Sequence, residues 1–165
     1  MPVVRRALVA LVLFAAALVM PAGAAQAAGP SPACGTTNVA RGGRAIASSQ
    51  DPLYPPSNAI DGNPHTRWVS GPGESQWITI DLRAAYNVCR VVLNWDFQYA
   101  KAFQLQMSNN GTSWYTIFAT TTGAGGIQSI DAAGTGRYIR MLGTARGTGW
   151  GLSLWEFEVY SRLAA

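Results

Sequence analysis

The sequence predicts an all-β fold, an antiparallel sandwich or jelly roll, and three observations support this class. Apolar and polar residues alternate with period two in short runs, for example at 76–82 and 153–160, as expected for strands with one buried face. Gly- and Asn-rich turn signals at 109–111, 123–126 and 134–136 separate such runs. No stretch keeps helical periodicity over several turns.

The predicted strands follow one another between these short turns. The Asn-Asn-Gly sequence at 109–111 favours a hairpin, because Asn and Gly tolerate the positive φ that tight turns need. Residues 56–60 alone hint at a helical turn. The clearest strand segments lie at 76–82, 102–108, 113–121, 127–131, 137–143 and 153–160. With no internal repeat, this succession predicts one sandwich domain.

The N-terminus has the pattern of an export signal. Arg5 and Arg6 precede an apolar run at 7–20, and small residues follow at 25–27, as in a cleaved signal peptide. A membrane-spanning helix needs about 20 residues, and this apolar run is shorter. A membrane anchor is the alternative interpretation. We therefore expect a secreted, extracellular protein with a signal peptide at 1–28, a short linker at 29–37 and one domain at 38–162.

Composition excludes two other classes of protein. The chain has 165 residues, of which 48% are hydrophobic and 12% charged, so it is too apolar to be disordered. Its formal charge is +4, but Arg5 and Arg6 of the predicted signal peptide supply two of the basic residues. Without a run of like charges, nucleic acid is not an expected partner. Nothing in the sequence indicates an oligomeric state.

The chain contains two cysteines, Cys34 and Cys89. In an exported domain the two are expected to form a disulfide bond. Such a bond ties the N-terminal segment to the body of the domain. Free thiols or a reactive nucleophile are the alternatives.

A loop at 57–68 carries oxygen ligands of the kind that calcium prefers. Asp61 offers a carboxylate, Thr66 a hydroxyl and the bend between them turns carbonyl groups inward. A second carboxylate is needed, and Glu156 or Glu158 of the last predicted strand could supply it. The alternative is that Asp61 caps a turn and Thr66 is an ordinary strand residue.

Several motifs in order resemble the discoidin, or coagulation factor 5/8 type C, domain. Within that family the chain is most similar to family 32 carbohydrate-binding modules of secreted actinobacterial polysaccharide hydrolases, which also share the placement of Cys34 and Cys89. The resemblance implies an eight-stranded antiparallel jelly-roll sandwich of the galactose-binding-domain-like type, with a structural calcium ion. The motifs lie at 47–49, 58–63, 66–68, 76–82, 106–114, 136–140 and 156–160.

The resemblance also implies which residues hold the calcium. The ion would be bound by the carbonyl groups of Asn58, Asn63 and Trp155, the side chain of Asp61, both oxygens of Thr66 and the carboxylate of Glu156. Its role would be to stiffen the loop.

The six tryptophans are expected to have different roles. Trp68, Trp77, Trp114 and Trp155 have apolar, strand-like neighbours, so core packing is expected for them. Trp150 lies between glycines and is interpreted as an exposed platform for a sugar ring. Trp95, Phe97 and Tyr99 are further candidates, for which core packing is an equal alternative.

The polar partners of a sugar are expected in loops at the same end of the sandwich. In the resembling modules the corresponding loops line the sugar site, and the candidates here are Gln50, Asp51, Tyr54, Glu74, Arg146 and Trp150. Two of them, Asp51 and Glu74, are acids that can select an amino sugar by charge-assisted hydrogen bonds, unless both are solvated turn residues. The loop at 95–101 lacks the Arg of galactose-binding members, and His65 falls in the calcium loop. A β-glucan or chitosan is therefore the expected polysaccharide.

Catalysis is not expected. A glycosidase needs two carboxylates that face one cleft, and the calcium assignment would commit Asp61 and Glu156. His65 has no recognisable nucleophile partner. A non-catalytic carbohydrate-binding domain is the prediction. The alternative functions are a phospholipid-binding module with Phe97, Tyr99 and Trp150 as membrane-contacting tips, or a protein-adhesion module.

Overall fold

The structure is a computed structural model, and it describes residues 33–162. The predicted signal peptide lies outside the described residues. The strands are β1 (Cys34–Asn38), β2 (Arg44–Ala47), β3 (Trp68–Val69), β4 (Trp77–Trp95), β5 (Ala100–Ser108), β6 (Tyr115–Thr120), β7 (Ile127–Arg146) and β8 (Ser153–Arg162), with one 3₁₀ helix at Pro56–Ile60. The predicted all-β class is confirmed, and so is the helical turn at 56–60.

Two long strands, β4 and β7, connect the two layers of the sandwich. Residues 78–81 of β4 pair with β2, and residues 77–81 pair with 138–142 of β7. Beyond a register shift after Asp81, β4 pairs with β8 and with the first half of β7. Arg83 adopts a φ of 70° at this bend. All these pairings are antiparallel, in agreement with the predicted sandwich.

The bend defines a front and a back layer. The front layer contains β2, the first half of β4, the second half of β7, β5 and β6. The back layer contains β1, β8, the second half of β4 and the first half of β7, with the short β3 beside β8. Alternate residues of each strand point between the layers, so the period-two pattern of the sequence becomes a single core.

The core contains fewer of the tryptophans than predicted. Trp68 is fully buried, as expected, and Trp95 lies in the core in a T-shaped contact with Phe103 at 5.8 Å between ring centroids. Trp77, Trp114 and Trp155 are only half-buried. Arginine side chains cover two of these rings, Arg140 over Trp114 and Arg67 over Trp155. The prediction of core packing was therefore wrong for three positions.

The sandwich begins at an earlier residue than the sequence suggested. Residues 34–37, which the sequence analysis assigned to a linker, form β1 together with Asn38 and pair with β8. The Asn38 side chain accepts hydrogen bonds from the backbone N–H groups of Ala40 (3.0 Å) and Val159 (3.0 Å). Among the described residues, no helix has the length and apolar character required to cross a lipid bilayer.

A disulfide bond joins β1 to β4. Cys34 and Cys89 are bonded with a Cα–Cα distance of 5.8 Å, which confirms the predicted pairing. The cross-link closes a loop of sequence separation 55. Because β1 meets β8 through an irregular register, the covalent bond adds a second attachment for this edge strand.

Breaking the bond is expected to destabilise the domain. For a loop of this length the chain-entropy model gives a loss of about 4 kcal/mol in the free energy of unfolding. Urea denaturation of the Cys34→Ser/Cys89→Ser double variant measures this loss. Dithiothreitol should lower the wild-type midpoint and leave that of the double variant unchanged. A double variant with the wild-type midpoint in oxidising buffer would contradict the stabilising role.

Candidate functional site

Four loops at one end of the sandwich enclose a cleft of about 390 Å³. They precede the 3₁₀ helix or connect β3 to β4, β4 to β5 and β7 to β8. We call this the loop-end cleft. It is lined by Asp51, Tyr54, Arg67, Val69, Ser70, Pro72, Gln98, Trp150 and Gly151.

Trp150 stands at the rim of the loop-end cleft with 65% of its surface exposed. Arg146 fixes the loop behind it: its Nη1 donates to the carbonyl oxygens of Gly149 (3.1 Å) and Trp150 (3.4 Å). Glu74 in turn holds Arg146, accepting from its Nε at 2.9 Å and from its backbone N–H at 3.1 Å. The Arg146 hydrogen bond holds the pKa of Glu74 below its usual value.

The loop that carries Trp150 also packs closely against the loop between β3 and β4. A Cβ at Gly151 would lie 2.7 Å from the carbonyl oxygens of Ser70 and Gly71, so glycine is required there. The Ser70 hydroxyl accepts from Leu152 N (2.8 Å) and donates to the Gly71 carbonyl (2.8 Å). The exposed indole is therefore carried by a loop with a defined position.

Arg67 forms the floor of the loop-end cleft. Its guanidinium lies 4.4 Å from the ring centroid of Tyr54 and 4.9 Å from that of Trp155. Its Nε is 3.3 Å from Asp96 Oδ2, but the contact lacks hydrogen-bond geometry and Nε is buried without a partner. Stacked cations of this kind add rigidity to aromatic walls.

Two residues that line the loop-end cleft carry acceptor atoms without a full set of hydrogen-bond partners. Gln98 Oε1 is buried and has no hydrogen-bond partner among the described residues. Asp51 Oδ1 accepts from Leu53 N at 2.9 Å, which leaves Oδ2 available. Buried acceptors without partners are unfavourable, so a ligand that donates N–H or O–H groups fits this cleft.

The predicted sugar residues divide into three groups. Asp51, Tyr54 and Trp150 come together in the loop-end cleft, as the sequence suggested. Glu74 and Arg146 are not among the lining residues and instead support the Trp150 loop. Gln50 is exposed and does not line the cleft either.

Six lining residues were not predicted from the sequence, and Arg67 and Gln98 are the two whose side chains bear most on the cleft. Arg67 directly follows Thr66, so the predicted calcium loop is a sequence signal from which Arg67 could have been found. Gln98 lies among the loop aromatics at 95–99, where only the aromatic side chains drew attention.

A second group of oxygens lies where the loop at 58–66 meets β8. Thr66 Oγ1 is 2.8 Å from Asp61 Oδ2 and 3.0 Å from the carbonyl oxygen of Asn63, and Asn63 N donates to Asp61 Oδ1 at 2.8 Å. Arg41 Nη2 donates to the Asp61 carbonyl oxygen at 3.1 Å. We call this the acidic pocket.

Glu156 completes the acidic pocket. Both of its carboxylate oxygens are buried without a hydrogen-bond partner. Burial, followed by the charges of Asp61 and Glu158, raises its pKa to about 7. A buried carboxylate beside a second one is unfavourable unless a cation joins them, so the residues present fit a hard divalent ion. Among residues 33–162 there is no cluster of three or more His, Cys, Asp or Glu side chains arranged for a metal. The other oxygens of such a site are therefore hydroxyl and carbonyl groups.

Comparison with known proteins shows the family to which this domain belongs. Residues 44–157 match the model of the F5/8 type C domain. Chitosan-binding module 1 of a chitosanase/glucanase from Paenibacillus sp. IK-5 is 46% identical, with 76% of this chain and 99% of that module covered and a TM-score of 0.73. Module 2 of the same enzyme, solved in complex with chitotriose, is 42% identical, with 75% and 100% covered and a TM-score of 0.72.

More distant relatives share the fold and part of the sequence. The CBM32 of AlyQ, solved with 4,5-unsaturated mannuronic acid, is 29% identical, with 70% of this chain and 92% of that one covered and a TM-score of 0.62. The polysaccharide lyase 8 family protein HylA of Enterococcus faecalis is 28% identical over 85 residues, or 52% of this chain. The chain spans only 6% of the length of that lyase.

The Glu74–Arg146 contact should control the order of the Trp150 loop. In Glu74→Gln the backbone N–H of Arg146 loses a charged acceptor, so its amide should exchange with solvent several-fold faster by NMR. Because the pKa of Glu74 is lowered, the wild-type contact should persist below the ordinary carboxyl range and break as pH falls through the lowered pKa. Asp51→Asn is the control, since Asp51 does not touch Arg146. Unchanged exchange in Glu74→Gln would contradict the supporting role.

Proposed function

Since the chain belongs to the F5/8 type C domain family, we propose that it is a carbohydrate-binding domain that binds a chitosan chain in the loop-end cleft. One observation carries the proposal: an exposed indole, that of Trp150, stands over a cleft with unsaturated acceptors. A sugar ring presents an apolar face to an aromatic platform and donates hydroxyl or amine hydrogens at its edge. The disulfide bond is consistent with an extracellular location.

The acceptors favour glucosamine over a neutral sugar. Asp51 contributes a carboxylate with one free oxygen, and Gln98 contributes a buried carbonyl oxygen. An ammonium group at the free oxygen of Asp51 forms charge-assisted hydrogen bonds, which are stronger than neutral ones. Glu74, the other acid considered from the sequence, is paired with Arg146 and takes no part in this selection. Both chitosan-binding modules that the chain resembles at more than 40% identity support this choice.

The proposed role is binding without hydrolysis. Hydrolysis needs a pair of carboxyl groups facing the bond that breaks. Asp51 is the one carboxylate that lines the loop-end cleft in the described part of the chain, and the nearby Asp96 is paired with Arg67 beneath it. The domain would then act by holding polysaccharide, with avidity gained from repeated sites along the polymer.

A calcium ion is the second part of the proposal. The acidic pocket would hold it through the carboxylates of Asp61 and Glu156, the hydroxyl and carbonyl oxygens of Thr66, and the carbonyl oxygens of Asn58, Asn63 and Trp155. The ion supplies positive charge to two neighbouring carboxylates. The side chains themselves join the loop at 58–66 to β8, directly behind the floor of the loop-end cleft.

A phospholipid surface is the second candidate ligand. Leu53 is 78% exposed and Phe97 60% exposed, and they lie in two of the loops that form the cleft. Apolar loop tips of this kind can insert into a membrane interface. Stable interfacial binding also needs free basic residues, and here Arg67 and Arg146 are paired with Asp96 and Glu74. The sugar proposal is therefore preferred.

The choice of ligand can be tested by binding measurements with glucosamine oligomers, N-acetylglucosamine oligomers and β-1,3-glucan. Trp150→Ala should weaken binding of glucosamine oligomers about tenfold or more, because an aromatic platform contributes on the order of 1–2 kcal/mol. Asp51→Asn should reduce the preference for the amine over the acetamide. Ile46→Ala, which removes an exposed apolar side chain from β2, is the matched control.

Two results would overturn the sugar assignment. Equal affinity of Trp150→Ala and wild type for glucosamine oligomers would remove the platform role. Co-sedimentation with phosphatidylserine vesicles in the absence of any binding to the oligomers would instead favour the membrane candidate.

The calcium proposal can be tested by thermal unfolding. A ligand at about 100 times its Kd stabilises by about 2.7 kcal/mol, which for a domain of this size raises the Tm by roughly 10 °C. Glu156→Gln should lose this rise, whereas Glu158→Gln, the neighbouring carboxylate outside the ligand set, should keep it. No difference in Tm between calcium and chelator would contradict the proposal.

A further inference from the structure

The outward side of the front layer, called the front face below, carries a row of mostly polar residues that the loop-end cleft does not use, and two of them, Thr79 and Gln106, are largely buried. Successive register partners from β2 to β6 are Ile46, Thr79, Arg140, Gln106 and Thr116. Strands lie about 4.8 Å apart, so the row extends roughly 19 Å across the sheet. This length exceeds a single sugar ring.

Arg140 lies at the centre of the row without an acidic partner. Its Nε and Nη2 both donate to Gln106 Oε1, at 2.9 and 2.6 Å, and its guanidinium stacks 4.2 Å from the Trp114 ring centroid. None of the ion pairs found among residues 33–162 includes it. Burial lowers its pKa. A partly desolvated cation whose hydrogen bonds go to a neutral amide leaves an unmatched positive charge on the surface.

The other charged residues of the front face do not neutralise the charge of Arg140. Arg44 is exposed and is likewise absent from the ion pairs of the described chain. Asp81, the acid register partner of Arg44, is held by Arg137 through two hydrogen bonds of 2.8 Å, and this pairing lowers its pKa to about 2. Along the row and beside it, the remaining positive charges are those of Arg44 and Arg140, whereas Lys101 lies away from the row, near the start of β5.

Shallow clefts and aromatic side chains flank the charged centre. One cleft of about 210 Å³ lies among Arg44, Ile46, Thr79, Asp81 and Tyr138. On the other side a cleft of about 400 Å³ opens beside Gln104 and Thr144. Gln104 Oε1 accepts from Gln106 (2.8 Å) and Thr116 (3.2 Å), which leaves its amide hydrogens free to donate. Donors and half-exposed rings therefore continue on both sides of Arg140.

We propose that the front face is a second binding site, separate from the loop-end cleft, and that it takes a carboxylate-bearing saccharide chain such as a polyuronate. The planar guanidinium of Arg140 matches a carboxylate. Tyr138, which lines the neighbouring cleft, offers apolar surface to a sugar ring, and the amide of Gln104 donates to hydroxyl groups. The two sites then select opposite charges, an ammonium at Asp51 and a carboxylate at Arg140.

NMR titration with trigalacturonate, a neutral maltotriose control and a short single-stranded DNA tests this site. Trigalacturonate should shift the backbone amides of Arg140, Gln106 and Thr116, with affinity reduced at least about fivefold in Arg140→Gln. Arg44→Gln, at an exposed position that cannot disturb packing, should give a smaller loss in the same direction. Maltotriose should shift none of these amides.

The controls separate this site from the proposed function. Lys101→Gln removes one exposed positive charge and should leave trigalacturonate affinity unchanged. Trp150→Ala should also leave it unchanged, while Arg140→Gln should retain binding of glucosamine oligomers. Absence of front-face shifts, an equal loss in Lys101→Gln, or tighter binding of the DNA than of trigalacturonate would each overturn the proposal.

Discussion

The loop end of the domain depends on one stacked cation. Arg67 lies between the rings of Tyr54 and Trp155 and within 3.3 Å of an Asp96 oxygen, so it joins segments from four different parts of the chain. Its neighbour Thr66 belongs to the acidic pocket, and Trp155 directly precedes Glu156. The floor of the loop-end cleft and the wall of the acidic pocket are thus built from adjacent residues.

The sandwich provides the rigidity that this arrangement requires. The long strands β4 and β7 cross between the layers, so the loops that follow them start from fixed positions. The Trp150 loop is then held by the Glu74–Arg146 contact and by the close approach of Gly151 to Ser70. An exposed indole on a loop fixed in this way loses little conformational entropy when a sugar stacks on it.

The sequence was most informative where a local pattern has one structural solution. Period-two alternation predicted the strands around Ile80 and Phe157, and two cysteines in a domain predicted to be exported indicated their bond. It was less informative where side chains from distant segments meet. Three tryptophans looked like core residues because their neighbours in sequence are apolar, yet Arg67 and Arg140, far away in the chain, cover two of the rings at the surface. In the same way, only the fold reveals that Glu74 supports a loop and that Gln98 lines the cleft.

The central claim is that polysaccharide binds in the loop-end cleft through Trp150 and the free acceptors beside it. A crystal structure of the complex with a glucosamine trisaccharide tests this most directly. We expect a sugar ring stacked on the Trp150 indole, with an ammonium group within hydrogen-bond distance of Asp51 Oδ2 or Gln98 Oε1. A trisaccharide bound elsewhere on the domain, with Trp150 and Asp51 free of contact, would contradict it.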